Sequence, residues 1–345
     1  MIDFLIEEKI HKPGTKRLDL YKYFMQAVDR AYFRAFPGNI RGQHRPNTYD
    51  SNHLTRKEFL ENPELFYKKP DRTPEFSITR LSVIKDVEVF NVKFPSPVQT
   101  KHTENNIAHG LLFKNKVKES SISLILLHGW GRINLWEEKK IALSLAKNNI
   151  DCFILKLPFH LERAPGGTWS GEYALTGDLQ RTVEGTRQLV VEVRTVNSWL
   201  RKRGKKVVIS GISLGGMMAH LAMAVETFDA GITILAGGNN ASIIWEGIGT
   251  IRVKENIIRA GFTRAQVNHV FQIIDPTILA KHNKTRNTLM MNGLYDEVIP
   301  ARFTNELWEA LGRPKIKWYP CAHLNIIFFM KTVVKDMIQF IHETI

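Results

Sequence analysis

The stretch Gly211-Ile212-Ser213-Leu214-Gly215 sets a lone hydroxyl between two glycines, where the apolar run Val207-Val208-Ile209 gives way to the helix-forming string Met217-Met218-Ala219-His220. A strand that ends in a serine and turns at once into a helix projects the serine Oγ from the strand tip, above the helix N-terminus. So sharp a turn needs small residues beside the serine, and Gly211 and Gly215 supply them. The chemistry this suits is nucleophilic attack on a carbonyl. A glycine-rich turn with Ser213 as an ordinary helix cap would give the same letters, since serine is a common N-cap. The pattern alone is weak.

A serine hydroxyl is a poor nucleophile unless a base takes its proton, so it demands a histidine and an orienting carboxylate. "NTLMMNGLYDEVIPARF" puts Asp296 a few residues beyond an apolar strand. Glu297 is the near alternative, and the spacing G-x-x-D-x-x-x-P favours Asp296. "KIKWYPCAHLNII" puts His323 after the last strand and just before the final helix. Taken singly, Asp296 reads as a surface turn residue and His323 as a helix cap. In the order serine, aspartate, histidine, each beyond a strand end, they form a catalytic constellation. His128, in "LLHGWG", reads as a structural loop residue rather than a base.

Candidates for substrate contact lie in the loop "LPFHLERAPGGTWSGEY", which follows a strand and is expected to reach the site. His160, Glu162, Arg163 and Trp169 are the side chains to watch, with Arg163 suited to pairing an acidic group. A surface loop held by its own polar contacts is the alternative. Trp245 and Phe271, from a later helical insertion, suggest an apolar cover.

Hydrophobic periodicity supplies the elements that must position these residues. Residues 18–36 read as a helix stopped by Pro37-Gly38, followed by a polar, turn-rich stretch over 38–53. Residues 81–97 and 106–116 read as an antiparallel pair. Then buried strands and helices alternate: strand 121–131, helix 134–148, strand 151–158, helix 178–203, strand 206–211 and a helix from Ser213. Strand 230–238, a helical insertion over 241–283, strand 287–293, helix 300–311, strand 315–320 and helix 325–344 complete the chain. Continuous apolar strands alternating with helices imply an α/β protein with a mostly parallel sheet covered on both faces. Within the insertion, Thr263 followed by Gln266 is a capping-box pattern that starts a helix. The insertion is placed to cover the carboxyl ends of the strands, where ligands bind in open α/β sheets.

With these motifs in hand, the chain from about residue 85 to the end resembles the α/β-hydrolase superfamily. It is similar to the bacterial esterase and dienelactone-hydrolase-like branch, and to the group related to abhydrolase domain-containing protein 18. "LLHGWG", "GISLGGM", "NGLYDEVIP" and "CAH" carry the resemblance, and the first 80 residues lie outside it. It implies an α/β-hydrolase fold over 81–345, a lid insertion near 241–283 and an N-terminal extension over 1–80. It also implies an oxyanion hole made by the backbone N–H groups of Leu214 and Trp130. The expected activity is that of a serine hydrolase, cleaving a carboxylic ester or thioester through an acyl-enzyme on Ser213. An acyltransferase with the same triad, or a catalytically silent binding protein on the hydrolase fold, remains as an alternative.

Composition narrows the classes without choosing among them. The 345 residues, 43% hydrophobic and 24% charged, suit one large soluble α/β domain with extensions. The net charge of +14 is spread along the chain. Its densest cluster, "RKRGKK" at 201–206, reads as a solvated helix end complementing the helix dipole, so no nucleic-acid partner is expected. Acids interrupt the first apolar stretch, which argues against a secretory signal, and no run reaches the ~18 apolar residues of a membrane span. Cys152 and Cys321 make neither a disulfide framework nor a metal spacing and read as packing residues. The expectation is a cytoplasmic enzyme with no cofactor or metal and a small-molecule ester or thioester substrate. Nothing in the letters fixes an oligomeric state.

Overall fold

The computed structural model of the chain describes residues 16–35 and 54–345, with side chains in the first stretch from Leu20 onward. Helix α1 (Lys16–Ala35) comes first, followed by the short helices α2 (Lys57–Glu61) and α3 (Pro63–Phe66). The expected helix stop at Pro37-Gly38, the polar stretch over 38–53 and the acid-interrupted N-terminus lie outside the described residues.

Among the described residues, nine strands form one sheet in the order β1-β2-β3-β5-β4-β6-β7-β8-β9. Strands β1 (Ser77–Ile84), β2 (Val87–Pro95) and β3 (Ile107–Asn115) make an antiparallel meander, and β3 runs antiparallel to β5 (Asp151–Leu155). The expected antiparallel pair is therefore three strands. The run 81–97 breaks at Lys85-Asp86, where Lys85 takes φ 55° to turn the hairpin. Apolar letters on both sides of a charged two-residue turn had hidden it.

From β5 onward the sheet is parallel, through β4 (Ile122–Leu127), β6 (Lys206–Ile212), β7 (Ala230–Ile234), β8 (Thr288–Gly293) and β9 (Lys315–Tyr319). Side chains alternate across a strand, and both sides of this sheet are apolar. Ile125, Leu127, Val207 and Ile209 face one core, together with α5 (Leu179–Arg201) and α6 (Leu214–Val225). Leu124, Leu126 and Val208 face the other, with α4 (Trp136–Lys147) and the C-terminal helix. Two-sided burial is why these strands read as unbroken apolar runs. Each fully buried side chain of this size contributes roughly 1.5–3 kcal/mol relative to exposure.

The insertion between β7 and β8 holds α7 (Asn240–Glu246), α8 (Ile251–Arg259), α9 (Arg264–Phe271) and α10 (Pro276–Leu279). The capping box is present: Thr263 Oγ1 accepts the Gln266 N–H while the Gln266 side chain accepts the Thr263 N–H. After β8 come α11 (Ala301–Ala310) and β9. The expected helix 325–344 divides into a 3₁₀ stretch, Leu324–Phe329, and α12 (Met330–Thr344). The solvated-cluster reading of 201–206 needs a correction at Lys205. That ammonium is buried and reaches Asp151 at 3.3 Å, whereas Arg201, Lys202, Arg203 and Gly204 are exposed.

Candidate active site

Ser213 stands between β6 and α6 with φ 55° and ψ −118°, a conformation that costs a non-glycine residue about 1–3 kcal/mol. Close packing explains the flanking glycines. A Cβ on Gly211 would lie 2.1 Å from the Gly215 carbonyl oxygen, and one on Gly215 would lie 2.4 Å from that of Leu127. Serine does not cap α6: its side chain makes no bond to the helix amides. Instead, Ser213 Oγ sits 2.9 Å from His323 Nε2, and His323 Nδ1 sits 2.7 Å from Asp296 Oδ2. The other Asp296 oxygen accepts the N–H groups of Val298 (2.8 Å) and Ile299 (2.9 Å), which fixes the carboxylate plane. With Nδ1–H donating to Asp296, the Nε2 lone pair is left to accept the serine proton. Glu297 points away and pairs with Arg30.

Burial draws the His323 pKa down, but Asp296, through its charge and hydrogen bond, and Asp29 more than offset it, so the value lies above that of an ordinary imidazole. Arg132 opposes them more weakly. Arg132 is itself paired with Glu137 and Glu138.

Ser213 and His323 open onto a cavity of about 210 Å³. Its walls are mostly apolar, with Met217, Ile243, Phe271 and Val298 among them, and Trp130 and Leu214 line it beside the serine. Leu214 is the first residue of α6, so its amide N–H has no acceptor within the helix.

The other residues singled out in the sequence lie elsewhere. Arg163 is fully buried, with both terminal nitrogens on Glu192 at 2.7 Å and further bonds to the carbonyls of Lys156 and Asn105. It holds its loop onto α5 and does not line the cavity, which corrects its expected role toward an acidic substrate group. Glu162 pairs with Lys156 at 2.5 Å. His160 is buried, with Nδ1 on the Pro158 carbonyl at 2.8 Å and Nε2 accepting the Gly131 N–H at 3.2 Å. Desolvation pulls its pKa to about 4, so it is a neutral prop for the β4 loop rather than a wall of the cavity. Trp169 packs against the Trp130 ring at 5.4 Å, behind the cavity wall. Trp130 Nε1 in turn donates to the Gly171 carbonyl at 2.8 Å. Trp245 is half-buried against the core and stands off the cavity, whereas Phe271 reaches it. Both ring nitrogens of His128 meet backbone groups, Nδ1 the Gly129 carbonyl and Nε2 accepting the Leu157 N–H, and burial holds its pKa well below normal. Cys321, next to Ala322 and His323, is buried with its thiol pushed up to about 12 by desolvation and nearby carboxylates.

Sequence reasoning read α1 as a helix but missed its place at the site. Tyr32 and Phe33 from that helix line the cavity, and Asp29 meets the backbone that carries His323. The available signal was small: one acid, Asp29, set four residues from each of the apolar Met25 and Phe33.

A family model described as alpha/beta hydrolase domain containing 18 matches residues 45–292. The match begins about forty residues before residue 85, where the resemblance was expected to start, so part of the N-terminal stretch falls inside the family. It ends ahead of Asp296 and His323. Rv2627c, an uncharacterized protein of Mycobacterium tuberculosis, is 25% identical over 309 residues, covering 82% of this chain and 70% of that protein. YdjC of Bacillus subtilis, also uncharacterized, is 32% identical over 101 residues, covering 29% of this chain and 86% of that protein. Among solved structures, the acetyl xylan esterase from Paenibacillus sp. R4 superposes with a TM-score of 0.66 at 17% identity, over 84% of this chain and 94% of that one. Acetyl xylan esterase 1 from Thermoanaerobacterium sp. JW/SL YS485 gives 0.62 at 16%, over 82% and 94%. At such identities the likeness is one of fold.

Proposed function

The chain belongs to the alpha/beta hydrolase domain containing 18 family, and from that premise we propose that it is a serine hydrolase cleaving a carboxylic ester or thioester through an acyl-enzyme on Ser213. The observation that carries this reading is the relay Ser213 Oγ, His323 Nε2, His323 Nδ1, Asp296 Oδ2, with links of 2.9 and 2.7 Å, at the mouth of an apolar cavity. A serine serving only as a cap would direct its oxygen to the helix amides, and Ser213 does not.

In the proposed reaction, His323 takes the serine proton as Oγ bonds to the substrate carbonyl carbon. The electron pair of the C=O moves onto oxygen, where the amides of Leu214 and Trp130 receive the charge. Loss of one such donor typically costs about 3–4 kcal/mol in the barrier. Imidazolium then protonates the departing alcohol or thiol, leaving the acyl group on Ser213. Water attacks the acyl carbon with His323 again as base, releasing the acid and restoring the serine. Asp296 holds the imidazole tautomer and stabilises the imidazolium without taking its proton. The apolar walls suit the hydrocarbon part of the acyl or leaving group.

Steady-state turnover of p-nitrophenyl acyl esters tests the reading. Ser213→Ala should lower kcat by about 10⁴-fold or more while the fold is kept. Ester turnover retained by the pure variant would refute it. Product analysis with added alcohols or thiols separates hydrolysis from acyl transfer, since only a transferase favours the competing acceptor over water.

A further inference from the structure

Helix α1 precedes the sheet in the chain, yet it lies against both loops that carry the His323 relay. Residues 25, 26, 29, 30 and 33 share one helical face. On that face, one Asp29 oxygen accepts the N–H of His323 at 2.7 Å and the other accepts the N–H of Leu324 at 3.1 Å. The Met25 carbonyl accepts from Asn325 Nδ2 at 3.0 Å, and Asn325 Oδ1 accepts the Ala322 N–H at 2.7 Å. Each amide from Ala322 to Leu324 is thus held by α1 or by a side chain that α1 holds. Gln26 reaches the Tyr295 carbonyl at 3.4 Å, and Arg30 grips Glu297 through two bonds of 2.6 and 2.7 Å, so the same helix also holds the loop bearing Asp296.

We propose that Asp29 is a positioning residue for His323, fixing the imidazole against Ser213 from an element outside the hydrolase sheet. The proposal rests on the reading of Ser213 as a nucleophile activated by His323. Its chemistry requires a carboxylate. Two converging amide donors need two acceptor oxygens, and an asparagine would turn an NH₂ toward one of them. Asp29 is fully buried, so it is committed to this contact rather than to solvent. Desolvation raises its pKa, against which His323 and the two amides favour the charged form. The charged groups bearing on the ring are Asp296 from the β8 loop, Asp29 from α1 and Arg132 from the β4 loop. Asp29 therefore sets the position of the ring and adds negative charge that favours imidazolium as the serine proton arrives.

The test is the pH dependence of p-nitrophenyl ester hydrolysis by the full chain, for wild type, Asp29→Asn and Asp29→Glu. Misplacing a catalytic group by about 1 Å can cost about a hundredfold, so Asp29→Asn should lower kcat by about 10–100-fold with KM within about threefold. Its acid limb should also move to lower pH, because removal of a nearby negative charge lowers the imidazole pKa. Asp29→Glu restores the charge, so its acid limb should return to the wild-type position while kcat recovers only in part. Asp29→Asn with the wild-type kcat and acid limb, or with its whole loss in KM, overturns the proposal. Should Asp29→Asn fail to fold, Asp29→Glu decides alone: reduced kcat on a wild-type acid limb supports the proposal, and an unchanged kcat overturns it. An inactive wild type would refute the reading of Ser213 and this proposal with it, whereas an active wild type beside an unaffected Asp29→Asn would refute only the role of Asp29.

Discussion

In the proposed reaction His323 must be neutral to accept the serine proton, yet its surroundings favour the charged ring. Burial depresses its pKa, and Asp296 and Asp29 together carry the balance to the other side. The sign follows for activity. A base with a raised pKa is protonated, and idle, to a higher pH, so kcat/KM should climb through an inflection above the ~6.5 of a free imidazole. A profile of kcat/KM from acid to neutral pH checks this, and an inflection clearly below that value would contradict the two-carboxylate setting. At this scale the sequence spoke clearly about Ser213, Asp296 and His323, because spacing and strand ends constrain them together. It was silent on Asp29, since an acid on a helix carries no motif and its partners are backbone amides almost three hundred residues away. Arg163 shows the opposite error. Its charge suggested a substrate contact, while the structure gives it Glu192, and sequence alone does not reveal which of several acids an arginine meets.

The elements show where patterns suffice. The alternation of apolar strands and helices was legible because two-sided burial makes each parallel strand a continuous apolar run, and the capping box at Thr263 marked its helix. Less legible were the hairpin at Lys85-Asp86 and the 3₁₀ stretch before α12, where local backbone geometry changes without a change in hydrophobic pattern. The β5 loop belongs here too. It is held to α5 by Arg163 and Glu192, a pair fully removed from solvent, with Ser96 donating to Glu192 at 2.6 Å. Removing one partner of such a pair leaves a buried charge alone, so Arg163→Ala should destabilise the fold by about 3–5 kcal/mol. Denaturant unfolding of the variant measures this. KM values for acidic and neutral esters should change alike, and a selective rise for the acidic ester would restore the substrate role that the packing denies.

At the scale of the whole molecule, the sheet presents Ser213 and both loops at one end, the insertion between β7 and β8 contributes Ile243 and Phe271 to the cavity, and α1 supplies Tyr32 and Phe33. Chain segments far apart in sequence thus close one apolar chamber around a polar relay. Among the described residues no helix is long and apolar enough to cross a membrane. The excess of basic residues bears little on the site, where Arg132, the cation lining the cavity, is already paired with acids. The family match and the esterase-like fold place the chain among α/β hydrolases, but activity rests on whether one hydroxyl is activated. Intact-mass measurement after treatment with a fluorophosphonate, on wild type and Ser213→Ala side by side, asks that directly. A single adduct is expected on the wild type and none on the variant; an unmodified, well-folded wild type, or an adduct that survives the substitution, would contradict activation of Ser213.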